Sequence, residues 1–164
     1  MTSCMNNNSG NDKTTATKAK VQRFYDEVIN AHNPAMVDSF CTADFTNHNA
    51  SPGHAGKGAE DLKAEFKDFF TMFPDVHMNV NGMATSGDTV MVWITMSGTN
   101  SGAGQGMPAT NKPFNVMATD VLVMKDGKAS DRWGYNEEMK MMAQLGLMPT
   151  PGAPPSAPDA SVKK

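Results

Sequence analysis

Five side chains capable of acid/base chemistry or ligand binding occur at alternate positions along one predicted β-hairpin. They are Asp120 on its first strand and Asp131, Trp133, Tyr135 and Glu137 on its second strand. A carboxylate among apolar side chains has a shifted pKa and can act as a general acid or base. Aromatic side chains beside it can hold an organic ligand. The pattern therefore predicts one wall of a ligand pocket that contains acid/base groups.

The position of the hairpin turn decides which of these side chains face each other. Asp126-Gly127 is a strong signal for a two-residue turn. Counting outward from that turn places Asp120 opposite Trp133 and puts all five side chains on the apolar face of the first strand. The apolar residues of that face are Phe114, Val116, Ala118 and Leu122.

Each carboxylate also has a purely structural interpretation. Asp120 could accept hydrogen bonds from the backbone or from the Trp133 indole, because buried polar groups need partners. Glu137 and Glu138 begin a predicted helix, where acidic side chains complement the helix dipole. Asp131 lies nearer the turn and could pair with a lysine at the rim. The residues alone leave both interpretations open.

Histidine is the other candidate acid/base, and the chain has four. His48 follows a short extended segment and is the best candidate for a second acid/base or an orienting hydrogen bond, with a structural histidine as the alternative. His32, His54 and His77 fall at a helix end, in a glycine-rich loop and on the polar face of a strand, where exposure is expected. No spacing matches a set of metal ligands, so we predict no metal site.

Apolar periodicity predicts the elements that position these residues. Helices are expected from Lys18 to Asn33, over 35–41, along the phenylalanine-rich segment that ends before Pro74, and from Glu138 to about Leu145 between an Asn136 cap and Gly146. Tyr25 and Phe70 lie on the apolar faces of the first and third helices. Strands are expected over 76–81, 89–99 and the hairpin, with a brief extended segment at 44–48. Helices followed by antiparallel strands predict an α+β domain whose helices cover one face of a curved sheet.

Composition limits the classes of partner. A formal charge of −3 and a pI near 5.7 provide no basic face for nucleic acid. The longest strongly apolar run, about residues 90–96, is far short of the roughly 20 residues that span a bilayer. We therefore predict no nucleic-acid partner and no transmembrane segment.

The ends of the chain differ in composition from its body. Residues 1–16 are a polar leader and residues 149–164 a tail rich in Pro, Ala and Ser, and both are predicted to be disordered around a domain at 17–148. We expect a cytoplasmic protein. The alternative is a lipid-anchored or periplasmic protein attached through Cys4, because Thr2-Ser3-Cys4 resembles the mature start of a bacterial lipoprotein. Cys4 and Cys41 do not form a disulfide framework.

With the hairpin and its flanks in place, the chain resembles the SnoaL-like polyketide cyclases ("ester cyclases") of the nuclear-transport-factor-2-like superfamily, from about Val21 to Pro149. The landmarks, in family order and spacing, are Phe24-Tyr25, Asn30, Asn47-His48, Gly56 to Gly58, Phe73-Pro74-Asp75, Gly98-Thr99, Lys112-Pro113, Asp126-Gly127-Lys128, Trp133 and Gln144-Leu145-Gly146. The resemblance implies a cone-shaped α+β fold. In it a curved mixed sheet wraps a hydrophobic pocket, N-terminal helices pack on the concave face, and the protein is commonly a homodimer.

The resemblance also implies a reaction. Characterised members close a polyketide ring by intramolecular aldol condensation without metal or organic cofactor. Their acid/base carboxylate, four residues after the tryptophan, corresponds to Glu137, where the family usually has Asp. Their Gly-Thr-His motif reads Gly98-Thr99-Asn100 here. His48 matches a family position on the pocket side, and Tyr25 becomes a candidate hydrogen-bond donor to ligand.

We therefore predict a cofactor-independent cyclase or isomerase-type enzyme that abstracts a proton from a hydrophobic carbonyl compound. The expected catalytic residues are Glu137, His48 and Asp120, and the expected substrate-binding residues are Tyr25, Trp133, Tyr135, Asp131, Asn100 and Phe70. A non-catalytic pocket that binds an apolar small molecule is the alternative function. A scaffold that uses the sheet to dimerise or to bind protein is a third possibility.

Overall fold

The computed structural model of the protein describes residues 8–148. Within this range the helices are α1 (Asn8–Phe24), α2 (Val37–Phe40), α3 (Gly58–Met72) and α4 (Glu138–Leu145), and the strands are β1 (Cys41–Asn47), β2 (His77–Ser86), β3 (Thr89–Thr99), β4 (Pro113–Lys125) and β5 (Lys128–Asn136). A π-helical segment, Tyr25–Asn30, continues α1, and a 3₁₀ turn at Pro34–Met36 precedes α2.

The strands form one mixed sheet in the order β1-β5-β4-β3-β2. β1 runs parallel to β5, and all other neighbours are antiparallel. The sheet curls without closing, and the helices that precede β2 pack on its concave face. This architecture confirms the predicted α+β fold.

The main core fills the space between the helices and the concave face. Val28, Val37, Phe45 and Val92 are at most 1% exposed there. Burying each such side chain fully contributes about 1.5–3 kcal/mol. A second cluster, which includes Phe73, Phe114, Val116 and Leu145, joins α4 to the end of the sheet. Members of both clusters line the space that remains between the helices and the sheet.

The helix boundaries differ from the sequence prediction at several places: the second helix covers Val37–Phe40 instead of 35–41, with Cys41 in β1, and the start of α1 and the N-cap of α4 also differ. α1 begins at Asn8 instead of Lys18, so residues 8–16 of the predicted leader are helical. The remainder of the leader, with Cys4, and the tail at 149–164 lie outside the described residues. At the other end, Glu137 occupies the N-cap position of α4 instead of Asn136. Gly146 ends α4 in the left-handed conformation, as predicted.

The hairpin turn is correct, but the predicted register beyond it is wrong. Lys125 pairs with Lys128, as a two-residue turn requires. A β-bulge at Ser130 then inserts one extra residue, so that Asp120 lies opposite Gly134 instead of Trp133. Because side chains alternate with period two, a shift of one residue exchanges the two faces of β5.

The exchange separates the five side chains that the sequence placed together. Asp120 stays on the concave face and is 5% exposed. Asp131, Trp133 and Tyr135 move to the convex face, and Arg132 and Gly134 take their places beside Asp120. The predicted wall of carboxylates and aromatic rings therefore does not form.

Candidate functional site

A cleft of about 160 Å³ opens between α3, the β1 end and the concave face of the sheet. One side of the cleft is apolar and the other is polar. The apolar side chains are Leu62, Phe66, Phe69, Met78, Ile94, Met96 and Ala118, and the polar ones are Asn47, Asn49, Ser51, Glu65, Asp120, Arg132 and Asn136. A concave site with a largely apolar lining and a few convergent polar groups is the usual form of a small-molecule site.

Asp120 is the centre of the polar side. Its Oδ2 accepts a 2.7 Å hydrogen bond from the Tyr25 hydroxyl. Its Oδ1 accepts from Arg132 Nε at 3.0 Å and lies 2.7 Å from Arg132 Nη2. Tyr25 opens the π-helical segment, a type of distortion that often occurs at functional sites. A buried carboxylate is thus held in one orientation at the cleft.

Arg132 reaches Asp120 because the Ser130 bulge turns it inward. Its Nη1 also donates to Asn47 Oδ1 at 3.3 Å. Its side chain is 26% exposed and lines the cleft, where it is the one cationic side chain among the described lining residues. The sequence prediction missed Arg132, because only the bulge brings it to this face.

A second buried carboxylate, Glu65 on α3, completes the polar side. Its Oε1 accepts from the backbone and hydroxyl of Ser51, both at 2.8 Å, and its Oε2 accepts from Asn47 Nδ2 at 2.9 Å. Asn47 therefore links Glu65 to Arg132. The sequence prediction missed Glu65 as well, although an acidic residue three positions after Leu62, inside the apolar stripe of a helix, is a readable signal.

The environment shifts two ionisation equilibria at this cluster. Burial, together with the Asp120 charge and hydrogen bond, raises the pKa of Tyr25 well above its usual value. Burial opposes the positive charge of Arg132, but attraction to Asp120 outweighs it, so the pKa of Arg132 is raised overall. At neutral pH Tyr25 is therefore protonated and donates its hydrogen bond, and Arg132 is a cation.

Comparison with known sequences assigns this architecture to a family. The profile of the SnoaL-like polyketide cyclases matches residues 19–145. The chain belongs to the SnoaL-like polyketide cyclase family. A comparison with curated proteins gives no significant match.

Several solved structures resemble the chain closely in shape and weakly in sequence. A candidate polyketide cyclase from Bacillus cereus ATCC 10987 has 25% identity and a TM-score of 0.69 over 82% of this chain and 83% of its own. TsrD from Streptomyces laurentii has 21% identity and a TM-score of 0.74 over 82% and 97%. A Catenulispora acidiphila protein of ketosteroid isomerase-like fold, solved with trimethylamine, has 20% identity and a TM-score of 0.64 over 82% and 97%.

Glu137, which the SnoaL-like resemblance marks as acid/base, lies outside the residues that line the cleft. Its side chain is 42% exposed and accepts hydrogen bonds from Lys140 Nζ at 2.7 Å and the Met117 backbone at 2.9 Å. These two bonds lower its pKa. The structure thus gives Glu137 the features of a helix-start acid and does not bring it to Asp120.

His48, Asp131 and Trp133 do come together, but on the convex face. His48 Nε2 lies 2.9 Å from Asp131 Oδ1, and its ring stacks on Trp133 with centroids 4.0 Å apart and planes 1° from parallel. The His48 hydrogen bond lowers the pKa of Asp131. Ser130 donates a further hydrogen bond to Asp131. These residues form a surface cluster that is separate from the cleft.

The other predicted binding residues are divided between the cleft and the core. Tyr25 contacts the cleft through Asp120, and Tyr135, which lies on the convex side of β5 and is 59% exposed, also borders the cleft at its rim. Phe70 packs between the two core clusters and its ring lies 4.6 Å from that of His32. Asn100 is fully buried, and its side chain makes hydrogen bonds to the backbone of the loop between β3 and β4. Among residues 8–148 no cluster of His, Cys, Asp and Glu could hold a metal ion.

Proposed function

We propose that the protein is a cofactor-independent enzyme that abstracts a proton from a hydrophobic carbonyl compound, with Asp120 as the acid/base. The observation that carries the proposal is a carboxylate whose side chain is 7% exposed, faces a half-apolar cleft and is oriented by Tyr25 and Arg132. Fixed orientation and exclusion of water both favour proton transfer. Membership of a family of cyclases supports the same reaction type.

The reaction is an aldol-type cyclisation or the enolisation that begins it. Asp120 takes the proton from a carbon next to a carbonyl group, and the electron pair of that C–H bond moves toward the carbonyl oxygen. The resulting enolate carbon attacks a second carbonyl of the same molecule and forms the C–C bond. The alkoxide produced by that attack then recovers the proton from Asp120, so the enzyme returns to its starting state.

The size of the cleft limits the substrate. A cavity of about 150 Å³ holds a benzene-sized molecule, and this cleft is about 160 Å³. One ring, or the open chain that closes to one ring, therefore fits between Phe66 and Phe69 on the apolar side and Asp120 on the polar side. Any larger part of the substrate extends through the open mouth of the cleft.

Hydrogen–deuterium exchange at carbon tests the proposal. Small cyclic ketones and 1,3-diketones are incubated with the protein in D₂O, and loss of the proton signal next to the carbonyl is followed by NMR. We expect Asp120→Asn to reduce the rate by about 10²-fold or more, the usual contribution of a general base. Glu138→Gln, an exposed acid outside the cleft, is the matched control and should exchange like the wild type. Thermal unfolding checks that each variant is folded.

The same assay distinguishes Asp120 from the acid that the family position indicates. If Glu137→Gln abolishes exchange while Asp120→Asn retains it, the base is Glu137 and the proposal is wrong. If the wild type binds the ketones in the cleft but neither the wild type nor any variant exchanges their protons, the protein is a small-molecule binder. One observation favours that second function, since both oxygens of Asp120 already accept hydrogen bonds from the protein.

The convex face supports a further proposal, that the protein is a homodimer. Met91, Trp93 and Tyr135 are more than half exposed on this face, and large exposed apolar patches mark interaction sites. We expect sedimentation equilibrium to give a dimer that Trp93→Glu dissociates. Met139→Glu, at a 67% exposed position on α4, is the control and should leave the dimer intact. A monomer at all concentrations would disprove the proposal.

For the location we propose the cytoplasm. Among the described residues no helix is long and apolar enough to cross a membrane. The mass of the protein isolated from its own host tests the alternative, because lipid attached to Cys4 would increase it.

A further inference from the structure

The guanidinium of Arg132 has donors that the protein does not use. An arginine side chain carries five N–H groups. Three of them face the described acceptors, two toward Asp120 Oδ1 and one toward Asn47 Oδ1. The remaining two N–H groups, one on each Nη atom, have no acceptor among the hydrogen bonds of the described residues. Since the side chain lines the cleft and is 26% exposed, these donors are accessible to a ligand.

Gly134 is what allows the guanidinium to lie there. A Cβ at this position would be 2.6 Å from Arg132 Cζ and 2.9 Å from Nη1, closer than real side chains approach. Gly134 does not have a positive φ, so the backbone itself does not demand glycine. The missing side chain at residue 134 is therefore explained by the space that Arg132 occupies.

The position of the free donors matches a need of the proposed reaction. When a proton leaves the carbon beside a carbonyl, negative charge develops on the carbonyl oxygen, and preorganised donors aimed at that oxygen stabilise it. Asp120 and Asn47 already hold the guanidinium in place, so it does not have to reorient when negative charge develops on the carbonyl oxygen. Arg132 is also adjacent to the base Asp120. The donors for the carbonyl oxygen and the acceptor of the carbon-bound proton therefore lie on the same side of the cleft.

We infer that Arg132 binds the substrate oxygen that becomes the enolate oxygen, and that Gly134 is a positioning residue that keeps the guanidinium in the cleft. The inference rests on the proposed function, because it names the group that holds the charge produced by proton abstraction. It assigns the substrate a carbonyl oxygen that points toward β5, with its apolar part toward α3.

A phenol tests the inference without turnover, because a phenolate has a ring and an oxyanion in the arrangement of a dienolate. The probe is 4-nitrophenol, whose ionised and neutral forms differ in absorption spectrum, bound to the full chain at a pH below its own pKa. We expect the wild type to increase the ionised fraction of the bound probe. Arg132→Gln should reduce the ratio of ionised to neutral bound probe at least tenfold, equivalent to one pKa unit.

Gly134→Ala should cause the same loss although it removes no polar group, because it displaces the guanidinium. The matched control is Gly82→Ala on β2, where a Cβ would meet only Trp93 at an ordinary 4.0 Å. Gly82→Ala should ionise the probe like the wild type. Gly134→Ala also keeps the test decisive if Arg132→Gln fails to fold.

The outcomes separate the two proposals. If the probe binds in the cleft and its ionised fraction is unchanged in Arg132→Gln and Gly134→Ala, Arg132 does not hold the oxyanion, while the proposed proton abstraction by Asp120 stands. If neither the probe nor a ketone perturbs the NMR signals of cleft residues in the wild type, the cleft is not a ligand site and both proposals are wrong.

Discussion

Replacing Arg132 by methionine would leave Asp120 as a buried charge with only Tyr25 as its polar partner. The side chain of Asp120 is 7% exposed, and its distances to Arg132 are 2.7 and 3.0 Å. Removing one partner of a buried ion pair costs about 3–5 kcal/mol. Because Arg132 is itself 26% exposed, water can partly replace it, and we expect the lower limit of about 3 kcal/mol. For a chain of this size that is a decrease in Tm of about 6–12 °C.

The double variant Arg132→Met/Asp120→Asn tests the cause of that loss. Asparagine keeps an acceptor for the Tyr25 hydroxyl and removes the charge, so most of the penalty for the unpaired carboxylate should disappear. We expect the double variant to be less destabilised than the sum of the single variants by about 2 kcal/mol, within the range measured for directly coupled residues. Urea unfolding followed by circular dichroism gives the free energies by linear extrapolation.

An exposed ion pair at the start of α4 serves as the control for this experiment. Lys140 and Glu137 form an ion pair whose side chains are 50% and 42% exposed, and Lys140→Met should leave the urea midpoint unchanged. The reasoning is wrong if Arg132→Met also leaves the midpoint unchanged, or if the effects of the two cleft substitutions are strictly additive. Either result would mean that the Arg132–Asp120 pair is screened by solvent like an exposed pair.

Three further predictions concern groups outside that pair. Two hydrogen bonds from Thr99 lower the pKa of Asp75. This carboxylate therefore stabilises the fold at neutral pH, and its contribution to stability is lost as the pH falls below about 4. The variant Asp75→Asn should flatten the acid limb of a curve of stability against pH. Burial raises the pKa of Cys41 to about 12, so in a Cys4→Ser variant the native protein should not react with a thiol reagent at pH 8, and urea should expose the thiol. In a Tyr135→Phe variant, absorbance should show no phenolate from Tyr25 until the protein unfolds in alkali.

Each of these predictions has a result that would contradict it. An unchanged acid limb in the Asp75 variant would mean that the Thr99 bonds do not form in solution. Rapid modification of Cys41 in the native state would show that the core around it opens. A phenolate signal from Tyr25 near pH 10, at which exposed tyrosines ionise, would place its hydroxyl in water and remove the donor that orients Asp120.

Local sequence determines the hairpin turn and the inward face of β4. Asp126 and Gly127 both have positive φ, as the two-residue turn requires. The alternating apolar residues of β4 fix which of its faces meets the core, and this fixes Asp120 on the concave side. Both features depend on neighbouring residues only, so they are readable without the fold. The same holds for the α+β order of helices and strands.

Only the tertiary structure decides which residues join Asp120. The Ser130 bulge has no signature in the sequence, and β5 mixes polar, charged and aromatic residues without an alternation that would fix its register. One extra residue therefore moves Trp133 outward and Arg132 inward. Asn47 on β1 accepts from Arg132, and Glu65 on α3 reaches the cluster through Asn47, although both lie far from Arg132 along the chain. The cleft exists because the curled sheet and the helix meet, and no segment alone contains it.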